Sequence, residues 1–161
     1  MDEPRWLVDE MLGRLARYLR FLGYDTEYVR GAEDDEIVQR ARKEGRRTIT
    51  RDRDLARRLP DAVLLTHTDI EGQMRELRAA YPALIRDVRF ERCSECNGLL
   101  SLLDAVPSRA GGLDDLPTEV RAGHTPLYGC SSCGHLYWEG THTKSVRARL
   151  ARWFPLERIA G

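Results

Sequence analysis

With 161 residues, 42% of them apolar, the chain can bury one ordinary core and carry a small appendage, which excludes a disordered tail. Its 26 basic and 26 acidic residues cancel, so any affinity for nucleic acid must come from local patches or bound metal rather than a global field. No apolar run approaches the roughly 20 residues of a membrane span, and the opening Met1-Asp2-Glu3-Pro4-Arg5 lacks the basic region and apolar stretch of a secretory signal, so a cytoplasmic protein is expected.

The amino-terminal half alternates strand and helix signals. Trp6-Leu7-Val8 forms a short buried strand that runs into Asp9-Glu10. Leu12, Leu15, Ala16, Leu19 and Leu22 then repeat at helical spacing, with Arg14, Arg17 and Arg20 on the other faces, until Gly23 ends the pattern. A strand over residues 26–29 follows. The next helix is opened by Asp34 or Asp35 and carries Ile37, Val38 and Ala41 as far as Gly45. Residues 47–50 read as a strand, with a helix after Asp52; residues 62–66 read as a further buried strand, and Asp69 as the N-cap of a helix presenting Ile70, Met74 and Leu77. Such alternation predicts an α/β unit with a parallel sheet covered by helices.

Near Phe90 the texture changes. A cysteine pair is followed by a glycine- and proline-bearing insert from about residue 106 to 126, a second pair, and an amphipathic helix with Val146, Leu150, Trp153 and Phe154 on one side, expected to pack back on the body. The expected organisation is a sheet domain over 1–89, a four-cysteine unit over 90–140, and a basic terminal helix over 141–161, where Lys144, Arg147, Arg149, Arg152 and Arg158 face only Glu157.

Three acidic clusters, Asp9-Glu10, Asp34-Asp35-Glu36 and Asp52-Arg53-Asp54, each stand where a strand ends or a helix begins. Singly they are ordinary surface residues or N-caps. Together they belong to one carboxyl edge of a parallel sheet, where open α/β sheets place their ligands, and carboxylates gathered there repel unless cations hold them. That is the donor set of a Mg or Mn site.

The most specific motif is Cys93-Ser94-Glu95-Cys96-Asn97-Gly98 paired with Cys130-Ser131-Ser132-Cys133-Gly134. Two intervening residues let both sulfurs of a pair reach one ion, and the glycine that follows lets the loop turn its amides toward the sulfurs. Four thiolates complete a tetrahedral zinc shell with no open position, so Cys93, Cys96, Cys130 and Cys133 point to structural rather than catalytic zinc. Tyr128, Leu136, Tyr137 and Trp138 flank the second pair; they cover the knuckles or stack on bases.

The order of residues 7–17, then Leu22-Gly23-Tyr24-Asp25-Thr26, Asp34-Asp35-Glu36-Ile37 and Thr50-Arg51-Asp52-Arg53-Asp54-Leu55, resembles the Mut-seven C-terminal ribonuclease family. That family belongs to the PIN-like nucleases and carries a carboxyl-terminal zinc ribbon. The ribbon resembles residues 93–133, and the tract after it resembles Tyr137-Trp138-Glu139-Gly140-Thr141-His142. The resemblance implies a PIN-like fold and cleavage of single-stranded RNA at a metal-dependent site built from Asp9, one of Asp34 or Asp35, Asp52 and Asp54. Asp34 is preferred over Asp35.

In this reading Asp9 and Asp52 are direct ligands, Asp34 and Asp54 bind a second ion or orient water, and Thr50 adds a hydrogen bond at the same edge. Arg14, Arg17 and Arg51 are candidates for flanking phosphates, and His142 for a contact to RNA or to the joint between domains. A Toprim-like site using Glu10, Asp52 and Asp54 leaves the Asp34 cluster unexplained. From another class, a non-catalytic RNA- or protein-binding module remains the alternative.

Overall fold

The computed structural model describes residues 3–106 and 116–155. Its first sheet is wholly parallel in the order β2-β1-β3-β4, from β1 (Trp6–Val8), β2 (Thr26–Tyr28), β3 (Arg47–Thr50) and β4 (Val63–Leu64). Val8 lies opposite Tyr28 on one side and Ile49 on the other, so β1 and β3 are central. Helices α1 (Gly13–Phe21), α2 (Asp34–Glu44), α3 (Arg53–Arg57) and α4 (Ile70–Ala80) follow the strands, and a 3₁₀ turn (Glu10–Leu12) joins β1 to α1.

The pleat sorts side chains onto two faces. Trp6, Val8 and Ile49 point into a core with Leu12, Leu15 and Leu19 of α1 and Met74 and Leu77 of α4. Leu7 points the other way, toward Ile37, Val38 and Ala41 of α2 and Leu55 of α3. Burial on both faces explains why β1 is an unbroken apolar triplet. The final helix α6 (Thr141–Trp153) brings Val146, Leu150 and Trp153 into the first core, so it does pack back on the body.

Three expectations change in detail. Residues 62–66 form only a two-residue strand at the edge of the sheet: Val63 and Leu65 are buried, but Leu64 is 38% exposed. Glu33, not Asp34 or Asp35, is the N-cap of α2; both aspartates lie in its first turn, where carboxylates favour the helix dipole. Arg20, read as lying off the apolar stripe of α1, is buried, at 7% exposure.

The cysteine-bearing unit is an antiparallel sheet in the order β5-β6-β7, from β5 (Leu100–Leu103), β6 (Leu127–Cys130) and β7 (Leu136–Trp138). A one-turn helix α5 (Thr118–Arg121) lies inside the insert, and Leu116, Val120 and Leu127 make a small core of its own. Residues 107–115 of the insert and 156–161, with Arg158, lie outside the described residues. No helix is long and apolar enough to cross a membrane among the described residues.

Candidate functional site

Asp9 leaves β1 in extended backbone and caps the 3₁₀ turn, accepting the Glu10 amide at 2.7 Å. Its other oxygen accepts the Thr50 hydroxyl at 2.8 Å, and that hydroxyl in turn accepts the Asp52 amide at 2.9 Å. Thr50 is fully buried at the end of β3, so one fixed hydroxyl ties together the two central strand ends. Asp52 caps α3, receiving the amides of Asp54 and Leu55 on one carboxylate oxygen at 2.7 and 3.1 Å. The other oxygen has no partner among the described residues.

The remaining acids differ in their commitments. Asp35 is paired with Arg58, and Asp54 with Arg57 at 2.8 Å; both carboxylates are about four-fifths exposed, at 79% and 81%. Asp34 is half-buried and its carboxylate has no partner among the described residues. Glu10 accepts the Gly31 amide at 2.9 Å, which fastens the loop after β2 to the end of β1. The acids thus share one edge of the sheet, but among the described residues only the cysteines gather three or more ligand atoms within 4.8 Å of one another.

The arginines divide. Arg14 is exposed and unpartnered among the described residues, and Arg51, between Thr50 and Asp52, has a buried Nε without a hydrogen bond. Arg17 pairs with Glu95 of the first cysteine loop, one helical turn further from the acidic edge. His142 stands away from that edge at the start of α6, its ring 5.5 Å from that of Phe21.

In the cysteine centre, Cys93 and Cys133 sulfurs lie 3.6 Å apart and Cys96 and Cys130 sulfurs 3.5 Å. Four sulfurs bound tetrahedrally at about 2.3 Å stand about 3.8 Å from each other, so the cluster fits one such ion and is consistent with structural zinc. Amides of Gly98 and Ser132 point at the Cys96 and Cys130 sulfurs at 3.4 Å. Burial pushes the Cys96 thiol up to about 12; at Cys130 the amides of Cys133 and Ser132 outweigh burial and draw it down to about 7. Four adjacent thiolates therefore require a cation to coexist.

The residue that takes positive φ in the first knuckle is Asn97 (67°), the counterpart of Gly134 (77°). Gly98 serves a different need: a Cβ there would sit 2.7 Å from the Ser132 hydroxyl and 2.9 Å from the Cys130 sulfur. Tyr137 places its hydroxyl 3.0 Å from the Cys93 sulfur and receives the Ser94 amide, while Tyr128 stacks on Phe90 at 4.7 Å, so both rings serve the knuckles and the joint.

That joint is what the sequence did not reveal. β2 is an edge strand, and the Asn97 amide oxygen accepts the Thr26 N–H at 2.9 Å while its nitrogen donates to Asp25 at 2.8 Å. Buried Arg20 donates to the carbonyls of Thr26, Ser94 and Glu95 at 2.9, 3.1 and 2.9 Å. Burial alone would raise Asp25, but hydrogen bonds from Arg46 and Asn97 outweigh it and hold the carboxyl at about 2. The available signals were an arginine in register with the apolar stripe of α1 and an asparagine directly after Cys96. A second missed pair, His67 with Glu76 at 3.0 Å, steadies the loop before α4.

Searches of curated proteins and of solved structures return no significant match. A family model described as the Mut7-C RNAse domain matches residues 4–150, which takes in both the acidic edge and all four cysteines. With nearly its whole length covered, the chain belongs to the Mut7-C RNAse domain family.

Proposed function

We propose that this member of a ribonuclease family is a metal-dependent, PIN-like nuclease that hydrolyses phosphodiester bonds of single-stranded RNA at the carboxyl edge of β1 and β3. The observation that carries the reading is the Thr50 hydroxyl, which holds Asp9 and the backbone of Asp52 in fixed relation across two central strands. The carboxylate oxygens of these residues are the hard donors that Mg or Mn takes. When bound, the ion neutralises the scissile phosphate and lowers the pKa of the attacking water.

The chain's own residues supply the rest. Asp9 and Asp52 hold the ion, and Thr50 keeps Asp9 from turning away from it. Asp34, uncommitted among the described residues, is better suited than Asp35, which faces Arg58, to orient water or hold a second ion; Asp54 has the same role after release from exposed Arg57. Arg14 and Arg51 bind flanking phosphates as charge-assisted donors. We take residues 1–89 as the nuclease unit, 90–140 as a zinc ribbon and 141–161 as the terminal segment, whose helix α6 rejoins the first core.

The test is cleavage of labelled single-stranded RNA with Mg or Mn by the parent chain, Asp9→Asn and Asp52→Asn, each checked for folding and zinc content. Metal-dependent cutting that falls at least about a hundredfold in both variants supports the mechanism. A parent that binds RNA without cutting it, or variants that cut equally well, would sink it and leave a non-catalytic RNA-binding module.

A further inference from the structure

The cleft between α1 and the cysteine ribbon has no part in the chemistry above. It has a volume of about 740 Å³, walled by Arg17 and Phe21 of α1, residues 88–90 and Arg92, Trp138 of β7 and the first turn of α6 from Gly140 to Lys144. Its acids are largely spent: Glu95 faces Arg17 and Glu139 faces Arg147 at 3.0 Å, leaving Glu119 unpaired among the described residues. Lys144 and His142 are both exposed and have neither ion pair nor hydrogen bond among the described residues. The cleft therefore offers one uncommitted cation among the described residues, Lys144, beside the exposed His142 and the half-buried Trp138, the pairing that tracks a single strand through its phosphates and bases.

Position ties the cleft to the acidic edge. α1 begins one 3₁₀ turn after Asp9, and Arg14 and Arg17 are neighbours one turn apart on it. From Gly13 to Phe21 the helix rises roughly 12 Å, at about 1.5 Å per residue. That equals three to four nucleotides at about 3.4 Å per stacked nucleotide. Arg14 thus stands beside the acids, and Arg17 at the mouth of the cleft. At the far wall, Gly140 lets the start of α6 lie against the Trp138 indole, where a Cβ would come within 2.6 Å of Nε1.

We propose that this cleft binds the stretch of single-stranded RNA three to four nucleotides from the scissile phosphate, with Lys144 on a backbone phosphate and bases against His142 and Trp138. This rests on the ribonuclease reading, and the test separates the two. In the full, zinc-loaded Asp9→Asn chain, fluorescence anisotropy compares labelled 4-nucleotide and 12-nucleotide RNAs, and a 4-thiouridine 12-mer is photo-crosslinked and mapped by mass spectrometry. The expected result is at least about tenfold tighter binding of the 12-mer, loss of that advantage in Lys144→Glu and its weakening in His142→Ala. The salt slope should fall by about one for Lys144→Glu, with crosslinks at Trp138 or His142.

Both substitutions are at exposed positions, and a thermal melt verifies the fold. No length advantage in the Asp9→Asn chain, an advantage that survives Lys144→Glu, or crosslinks confined to other surfaces would overturn the proposal and leave the cleft to a protein partner. Cleavage by the chain with Asp9 intact is scored separately. Cutting without a Lys144 effect on length dependence sinks the cleft alone, and length-dependent binding without cutting sinks the nuclease reading alone.

Discussion

Replacing Asn97 with alanine should uncouple the first cysteine knuckle from the edge of the parallel sheet. The Thr26 N–H, on a fully buried residue, loses its acceptor, and an unsatisfied buried donor costs about 1–3 kcal/mol. Alanine must also hold the positive φ of 67°, which costs roughly a further 1–2 kcal/mol. With partial relaxation the sum is about 2–4 kcal/mol. For a chain of this size that lowers the melting temperature by roughly 5–15 °C, at about 2–4 °C per kcal/mol. Asn97→Gly keeps the backbone conformation and loses only the hydrogen bonds, so it should recover about 1 kcal/mol of the deficit. Urea unfolding of zinc-loaded protein, followed by circular dichroism, measures both. A cost below about 0.5 kcal/mol for Asn97→Ala would refute the edge-sealing role; a glycine variant no better than alanine would refute the backbone part.

Other perturbations act on the acidic edge, the joint and the metal centre. Thr50→Val keeps the shape of a buried side chain but removes the hydroxyl between Asp9 and Asp52, and should cut metal-dependent cleavage by roughly 10–100-fold; steady-state kinetics at saturating metal would show it, and unchanged activity would dismiss the bridge. Asp25 is depressed from 3.8 to about 2, so folding favours its carboxylate. Its contribution of about 2 kcal/mol is complete above the unfolded value near 4 and fades as pH falls through 2. Asp25→Asn should therefore lower stability at neutral pH and flatten its fall between about pH 4 and 2 in denaturant titrations, and a parallel acid limb in both proteins would contradict this. Gly98→Ala, which crowds the Cys130 sulfur, should weaken zinc binding by at least about tenfold in chelator competition, whereas Gly134→Ala, with open space around it, should act only through its positive φ.

Much of the architecture was legible because its signals are local. The alternation of apolar triplets with helical periodicities, Gly45 in left-handed backbone ending α2, and the caps Asp52 and Asp69 depend on neighbours within a turn or two, and each stands as read. The cysteine pairs were equally plain, since the two-residue spacing itself brings paired sulfurs to one ion. The N-cap of α2 was misplaced by one residue or two because Glu33, Asp34, Asp35 and Glu36 all suit a helix start, and propensity does not choose among them.

What the amino-acid order determined alone, then, is which segments of the first 80 residues are strands and helices, which residues are acidic at their ends, and which four sulfurs cluster; the strands β5 to β7 and the short helix α5 around the cysteines were not read from it. Tertiary structure decided the partnerships. Thr50 reaches Asp9 across 41 positions and Asn97 reaches Thr26 across 71, because β1 lies between β2 and β3 and leaves β2 as an edge to be closed. No periodicity encodes such a pairing. It follows from which strand ends become neighbours, and that is fixed when both faces of the sheet are buried together. The same reason put Arg20 inside: with the knuckle's carbonyls folded over α1, a guanidinium there finds acceptors that a solvated face would never supply.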